Sequence, residues 1–277
     1  MQKYGCRELL HILFPLSTSV LVPLLLFAQV PGRDTSNKNP YFKTVVVDAG
    51  HGGKDPGAHG AFSLEKNVAL AIAKKLQVAI QLKMPDVHVV MTRADDSFIE
   101  LNRRSAIANE HQANLFISIH CNSSPEGLAA RTHKQIGALV LVYGYHRKEE
   151  QLEAIRENAS IYQEKDYHQH YDQINAQDPT SVILLNAYLQ KYRRQSIQFA
   201  ELMIREFQDH DNREIIGVKE QGVLVLAHSA MPAVLIETGF INNPVEEKYL
   251  NSTTGQNEIV QTIFRAIQKY RHAMEPE

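Results

Sequence analysis

Short apolar runs alternate along this chain with stretches whose apolar residues recur every fourth position, and three of the runs end in a histidine or a carboxylate. The runs are Lys43–Asp48, Val87–Thr92, Leu115–His120, Ala138–Tyr143, Val223–Leu226 and Ala233–Glu237. Several are continuous β-branched or apolar segments, as strands covered on both faces must be. Between them, Val68, Ile72, Leu76 and Ile80 form one apolar stripe and predict a helix over 67–82. Ala200, Met203, Ile204 and Phe207 do the same, and Ile259, Ile263, Ile267 and Tyr270 mark a final helix. Such alternation predicts an α/β fold: a three-layer αβα sandwich on a mostly parallel or mixed central sheet of about six strands.

The ends of the runs carry the chemistry. Val45-Val46-Val47-Asp48-Ala49-Gly50-His51-Gly52-Gly53 delivers an imidazole between glycines. Leu115-Phe116-Ile117-Ser118-Ile119-His120-Cys121-Asn122 delivers a second, and Ala233-Val234-Leu235-Ile236-Glu237-Thr238-Gly239 delivers a carboxylate. Glu65 stands at the head of the first helix. Strand ends and a helix start converge where open α/β sheets bind ligands. Two histidines and one carboxylate form a recurrent catalytic zinc set with one position left for water. A further carboxylate can then move the water's proton. Imidazole favours zinc over magnesium. Cys121 points away from whatever His120 reaches, because neighbours on an extended segment face opposite sides, and is expected in the core.

These three motifs together resemble the zinc-dependent N-acetylmuramoyl-L-alanine amidases of bacterial cell-wall turnover, over about Lys43 to Tyr270. The resemblance implies that His51, Glu65 and His120 ligate zinc, that zinc-bound water is the nucleophile, and that Glu237 is the general base and acid. Asn122 matches a position beside the site where its amide would orient substrate. The implied substrate is peptidoglycan, cut between the lactyl group of N-acetylmuramic acid and L-alanine of the stem, during wall remodelling or daughter-cell separation. Two other readings share these residues: a zinc peptidase cutting within the stem peptide, and a wall-binding scaffold without turnover.

Residues 145–194 depart from the alternation and read as a helical insertion in a catalytic domain spanning 43–273. Leu152, Ile155, Ala159 and Tyr162 form an amphipathic pattern, Asp178-Pro179 breaks the chain, and Val182, Leu185, Leu189 and Tyr192 suggest a helix leading into 195–207. In amidases of daughter-cell separation, such an insertion is autoinhibitory and a protein activator displaces it. A glutamate from it fills the open metal position. Glu149, Glu150, Glu153 and Glu157 are the candidates, and spacing does not choose between them. The alternative is a solvated helical pair that only shapes the groove.

Lys3 and Arg7 precede a mostly apolar stretch to Ala28, so 1–29 reads as a secretory signal peptide and 30–42 as a polar linker. Export to the periplasm is the expectation, with no membrane span left after cleavage. An uncleaved anchor is the alternative. Without the leader, Cys121 has no intrachain disulfide partner, since the chain has 2 cysteines. A formal net charge of −2 offers no electrostatic case for nucleic acid. Asp48 either accepts a hydrogen bond from a ligand imidazole or holds the loop. Asp55 and His59 read as loop residues, and His168 and His170 as part of a solvated insertion loop. Arg93, Arg103 and Arg104 read as surface or structurally paired cations before contacts to an acidic wall polymer.

Overall fold

The computed structural model describes residues 41–124, 136–144, 151–165, 179–210 and 213–275, with side chains in the 179–210 helix described from 191 onward. The leader, most of the linker, Glu149, Glu150, His168 and His170 lie outside the described residues.

Six strands form one sheet in the order β2-β1-β3-β6-β4-β5. They are β1 (Thr44–Ala49), β2 (His88–Met91), β3 (Leu115–Asn122), β4 (Ala138–Tyr143), β5 (Ile215–Gln221) and β6 (Ala233–Phe240). Neighbours run parallel except β4 against β6, which makes the sheet mixed. Every residue of β3, β4 and β6 is buried. A strand covered on both faces can carry no solvated side, which is why these segments read as unbroken apolar runs.

Alternate side chains sort the two faces. Val45, Val47, Ile117, Ile119, Val140, Val142, Val234 and Ile236 join the larger core cluster, with α1 (Glu65–Lys83), α4 (Pro179–His210) and α7 (Thr253–Ala273) packed over it. Val46, Phe116, Leu139, Leu141 and Leu235 point the other way, towards α2 (Leu101–Glu110) and the short helical turn α5 (Leu224–Ala227). The predicted stripes face inward: Val68, Ile72, Leu76 and Ile80 on α1, and Ile259, Ile263, Ile267 and Tyr270 on α7. α6 (Pro244–Asn251) begins with Pro244 after Asn243, whose side chain accepts from the amides of Val245 and Glu246. A cap followed by a first-turn proline is a strong helix start.

Val223–Leu226 corrects the sequence reading. It is no strand: Val223 is extended and Leu224–Ala227 makes one helical turn that buries Val225, Leu226 and Ala227. The strand at that edge is β5, where Gly217 at φ 123° and the polar residues Lys219 and Glu220 obscure the pattern. An apolar run of this length buries as well on a turn as in a ladder.

The insertion supplies α3 (Leu152–Asn158) and a 3₁₀ turn, Ala159–Gln163. Its apolar stripe does not face the core: Leu152 and Ile155 are each 67% exposed and Tyr162 is 72% exposed. The opposite, polar face packs inward and carries Glu157. Among the described residues no helix is long and apolar enough to cross a membrane.

Candidate metal centre

His51 leaves β1 in a left-handed conformation, φ 59°, which a residue with a β-carbon holds only where its surroundings impose it. Two buried guanidiniums impose it here. Arg93 donates from Nε to the Ala49 carbonyl at 2.8 Å and from Nη2 to that of Gly50 at 2.7 Å. Arg104 donates from Nη1 to Ala49 and from Nη2 to His51, both at 2.7 Å. Arg93 and Arg104 are therefore structural cations. Asp48 is buried and pairs with Arg104 at 2.9 Å, while Thr92 and Ser118 donate to it. Burial pushes its carboxyl up, but Arg104 and the two hydroxyls hold it below its ordinary value. Asp48 thus holds the loop and contacts neither imidazole.

The same loop is pressed against the cluster. A β-carbon on Gly50 would lie 2.3 Å from His120 Nε2, and one on Gly57 would lie 2.6 Å from His51 Cδ2. Neither position accepts a side chain without displacing a histidine.

Glu65 opens α1, where the helix N-terminus favours a negative charge. Its Oε2 accepts from the Ala58 amide at 2.7 Å and its Oε1 from the Cys121 amide at 2.8 Å. The remaining direction of each oxygen faces an imidazole: His51 Nε2 at 3.1 Å and His120 Nδ1 at 3.1 Å. Glu157 on α3 closes the group, its Oε2 being 3.4 Å from His51 Nε2 and 2.8 Å from His120 Nδ1. His51, Glu65, His120 and Glu157 each bring one donor atom to within 4.8 Å of the others, and all four are buried.

A divalent cation fits this arrangement. Tetrahedral ligands at about 2.0–2.1 Å from zinc stand about 3.3 Å apart, close to the four imidazole–carboxylate separations of 2.8–3.4 Å here. Among the described residues, His51 Nε2 and Glu157 Oε2 are buried and, though close to one another and to the neighbouring donors, make no well-directed hydrogen bond, a costly state unless something else satisfies them. Asp55 Oδ2 lies 2.8 Å from His51 Nδ1, the outer-shell contact that fixes a ligand imidazole's tautomer. The cluster also attracts positive charge in the form of protons. Burial would depress His51, but Glu65, Asp55 and Glu157 carry it well above its ordinary value. Burial likewise opposes His120, which Glu157 and Glu65 raise to about 9. Burial pushes Glu65 and Glu157 up; the two imidazoles hold Glu65 below the usual carboxylate range, and the imidazoles with Arg156 hold Glu157 below it. A cation binding there displaces those protons.

Glu237 faces His120 directly across the β3–β6 ladder. It is fully buried, and burial, reinforced by Glu157 and Glu65 against the pull of Arg156, raises its carboxyl to about 8. Its Oε1 accepts from Arg156 Nη2 at 2.6 Å, and its Oε2 has no partner among the described residues. Asn122 Oδ1 accepts from the Ser123 amide and from Arg156 Nη1, each at 2.7 Å. Cys121 packs in the larger core cluster, with its thiol pushed up by burial. His59 pairs with Leu64 in a short loop bridge, and Arg103 pairs at the surface with Glu110.

Of the insertion glutamates, Glu153 points away and binds Lys219 and Gln221. Two residues escaped the sequence reading. Asp55 had a signal, a carboxylate four residues after a ligand-type histidine, which a loop reading discards. Arg156 had only its place beside the candidate glutamates.

The family model described as N-acetylmuramoyl-L-alanine amidase matches residues 45–269. A Buchnera aphidicola protein assigned as an N-acetylmuramoyl-L-alanine amidase is 33% identical over 227 residues, covering 82% of this chain and 95% of its own length. The crystal structure of an N-acetylmuramoyl-L-alanine amidase from Clostridium difficile 630 superposes with a TM-score of 0.62 at 25% identity, covering 85% of this chain and 100% of that one. The CwlD amidase of Clostridioides difficile, solved in complex with the GerS lipoprotein, gives 0.58 at 26% identity, covering 83% and 99%.

Proposed function

The chain belongs to the N-acetylmuramoyl-L-alanine amidase family of cell-wall hydrolases, and we propose that His51, Glu65 and His120 hold zinc, Glu237 is its base, and Glu157 keeps the site closed. The observation that carries this reading is the four-donor cluster, two imidazoles and two carboxylates, with Glu237 beside it.

Bound zinc supplies Lewis acidity for the scissile carbonyl and a water acidified to a pKa of about 7. The protein's own groups do the rest. Asp55 holds the His51 ring so that Nε2 points into the site. Glu65 is fixed by two backbone amides, so its oxygens cannot swing away. Glu237, in a dry and apolar strand, takes the water's proton and returns it to the departing L-alanine nitrogen. Asn122 shares the Arg156 guanidinium with Glu237, a closeness to the base that supports a role for its amide in orienting the stem.

With zinc held by His51, Glu65 and His120, Glu157 would take the remaining ligand position, the one an attacking water needs. Polar contacts to one edge of the fold hold α3: Ala154 N to Gln221 Oε1 at 2.7 Å, Asn158 Nδ2 to the Gly222 carbonyl at 2.8 Å, and Glu153 to Lys219 at 2.8 Å. An element docked by polar groups, with its apolar side in solvent, opens at low cost. We infer that a protein activator takes up the exposed Leu152–Ile155–Tyr162 face and withdraws the helix. The leader at 1–29 supports export, and the periplasm is the proposed site of action.

Mass analysis of muropeptide digests tests the reaction. Free, intact stem peptide is expected from the purified zinc-loaded chain once 146–193 is removed. Shortened stems still attached to glycan would replace the amidase reading with a stem peptidase.

A further inference from the structure

Glu157 is not alone in reaching the site. Among the described residues of the insertion, the residue before it reaches the site as well. Arg156 places all of its N–H donors. Nε binds Glu157 Oε1 at 2.9 Å, and Nη2 binds Glu157 Oε1 at 2.8 Å and Glu237 Oε1 at 2.6 Å. Nη1 binds Asn122 Oδ1 at 2.7 Å and the Ser123 carbonyl at 2.9 Å. A guanidinium carries five donors in a rigid plane, so each one here has an acceptor.

Two consequences follow from that geometry. An oxygen of the candidate base is occupied by a cation that a water or a leaving amine would have to displace. The acceptors beside it, Asn122 Oδ1 and the Ser123 carbonyl, are filled as well, so the space next to the base is closed to an N–H group of substrate. None of this passes through Glu157 Oε2, the atom that faces the two histidines.

We propose that Arg156 is a second, separate restraint on the site: it occupies Glu237 and the Asn122–Ser123 acceptors, so withdrawal of Glu157 from the metal cluster is by itself insufficient for hydrolysis. This rests on the amidase reading and on the closed state proposed above. It adds that adjacent residues of one helix act on different parts of the machinery. Glu157 fills the metal position and Arg156 disarms the base. A single displacement of α3 releases both.

The test uses E157A, R156A, R156A/E157A and R156K/E157A in the zinc-loaded full chain. Stem-peptide release by R156A/E157A is expected to exceed that of E157A by at least about tenfold, the scale of a lost charge-paired contact. R156K/E157A should fall between them, because lysine keeps the charge beside Glu237 but cannot fork across Asn122 and Ser123. Equal rates for E157A and the double variant would overturn the proposal. A second readout needs no turnover. In R156A, amide hydrogen exchange over 152–158 should quicken by about tenfold or more. E237A should quicken it by less, because Arg156 then keeps Glu157, Asn122 and Ser123, and combining it with R156A should add little, because R156A already removes the Glu237 contact. Unchanged exchange in R156A would overturn the restraint directly. Coupled exchange in a set of variants that all fail to release stem peptide would leave the restraint standing and sink the amidase reading instead.

Discussion

His120 and Glu237 are direct partners across the parallel pairing of β3 and β6. A candidate metal ligand and a candidate proton carrier therefore sit on adjacent strands at the same height of the sheet. Their spacing is set by the ladder and needs no loop to maintain it. The register slips just beyond this pair, between His120 and Asn122, which carries Asn122 to the rim beside the base.

Replacing Glu237 separates chemistry from metal binding. E237Q keeps the shape and removes the proposed base. Turnover should fall by about a hundredfold to ten-thousandfold, with zinc content by elemental analysis unchanged. Loss of zinc along with activity would make Glu237 a ligand or a structural residue.

Asp55 should matter for affinity more than for folding. D55A frees the His51 ring, whose Nδ1 loses its 2.8 Å contact with the Asp55 carboxylate. Zinc affinity is expected to drop by about 10- to 100-fold, read by competition with a chromophoric chelator. An unchanged affinity would remove Asp55 from the supporting shell.

Metal removal should lower the melting temperature. Zinc at a free concentration about 1,000 times its Kd contributes about 4 kcal/mol, so chelation should lower Tm by roughly 8–16 °C for a domain of this size. Zinc, but not magnesium, should restore it. A Tm indifferent to zinc would argue against the cluster as a metal site.

Asp48 predicts a pH dependence of opposite origin. Arg104, Ser118 and Thr92 hold its carboxyl below the ordinary value of 3.8. The stabilisation is therefore complete above that value and is lost as pH falls towards the lower folded one. D48N, which leaves Arg104 buried beside a neutral group, should cost about 3 kcal/mol in urea unfolding at neutral pH. The gap between parent and variant should narrow below about pH 4. A gap that stays constant into acid would mean that the charge of Asp48 is not what stabilises the loop.

Much of this protein was legible before folding is considered, because the information is local. A strand buried on both faces must be apolar throughout, so β1, β3 and β6 announce themselves, and whatever stands at their carboxyl ends is brought to one edge of the sheet. His51, His120 and Glu237 are readable for that reason, and Glu65 because it opens a helix with a clear four-residue stripe. The αβα layering follows from the same alternation. Other features had no local signal. β5 is an edge strand with a glycine and charged side chains, and Val223–Leu226 is apolar enough for either a strand or a turn, so only packing separates them: β5 pairs with β4, and the turn packs on α2. Arg93 and Arg104 look like surface cations until burial shows them gripping the carbonyls of 49–51. Asp55 is an ordinary loop carboxylate until the left-handed turn at His51 aims the ring at it. Above all, four glutamates in the insertion were equivalent by spacing. Glu157 alone of those described reaches the histidines, and Arg156 reaches Glu237, because α3 lies with its polar face inward against Gln221 and Gly222. That rotation is decided by contacts between segments more than sixty residues apart, which a periodicity of three or four residues does not encode.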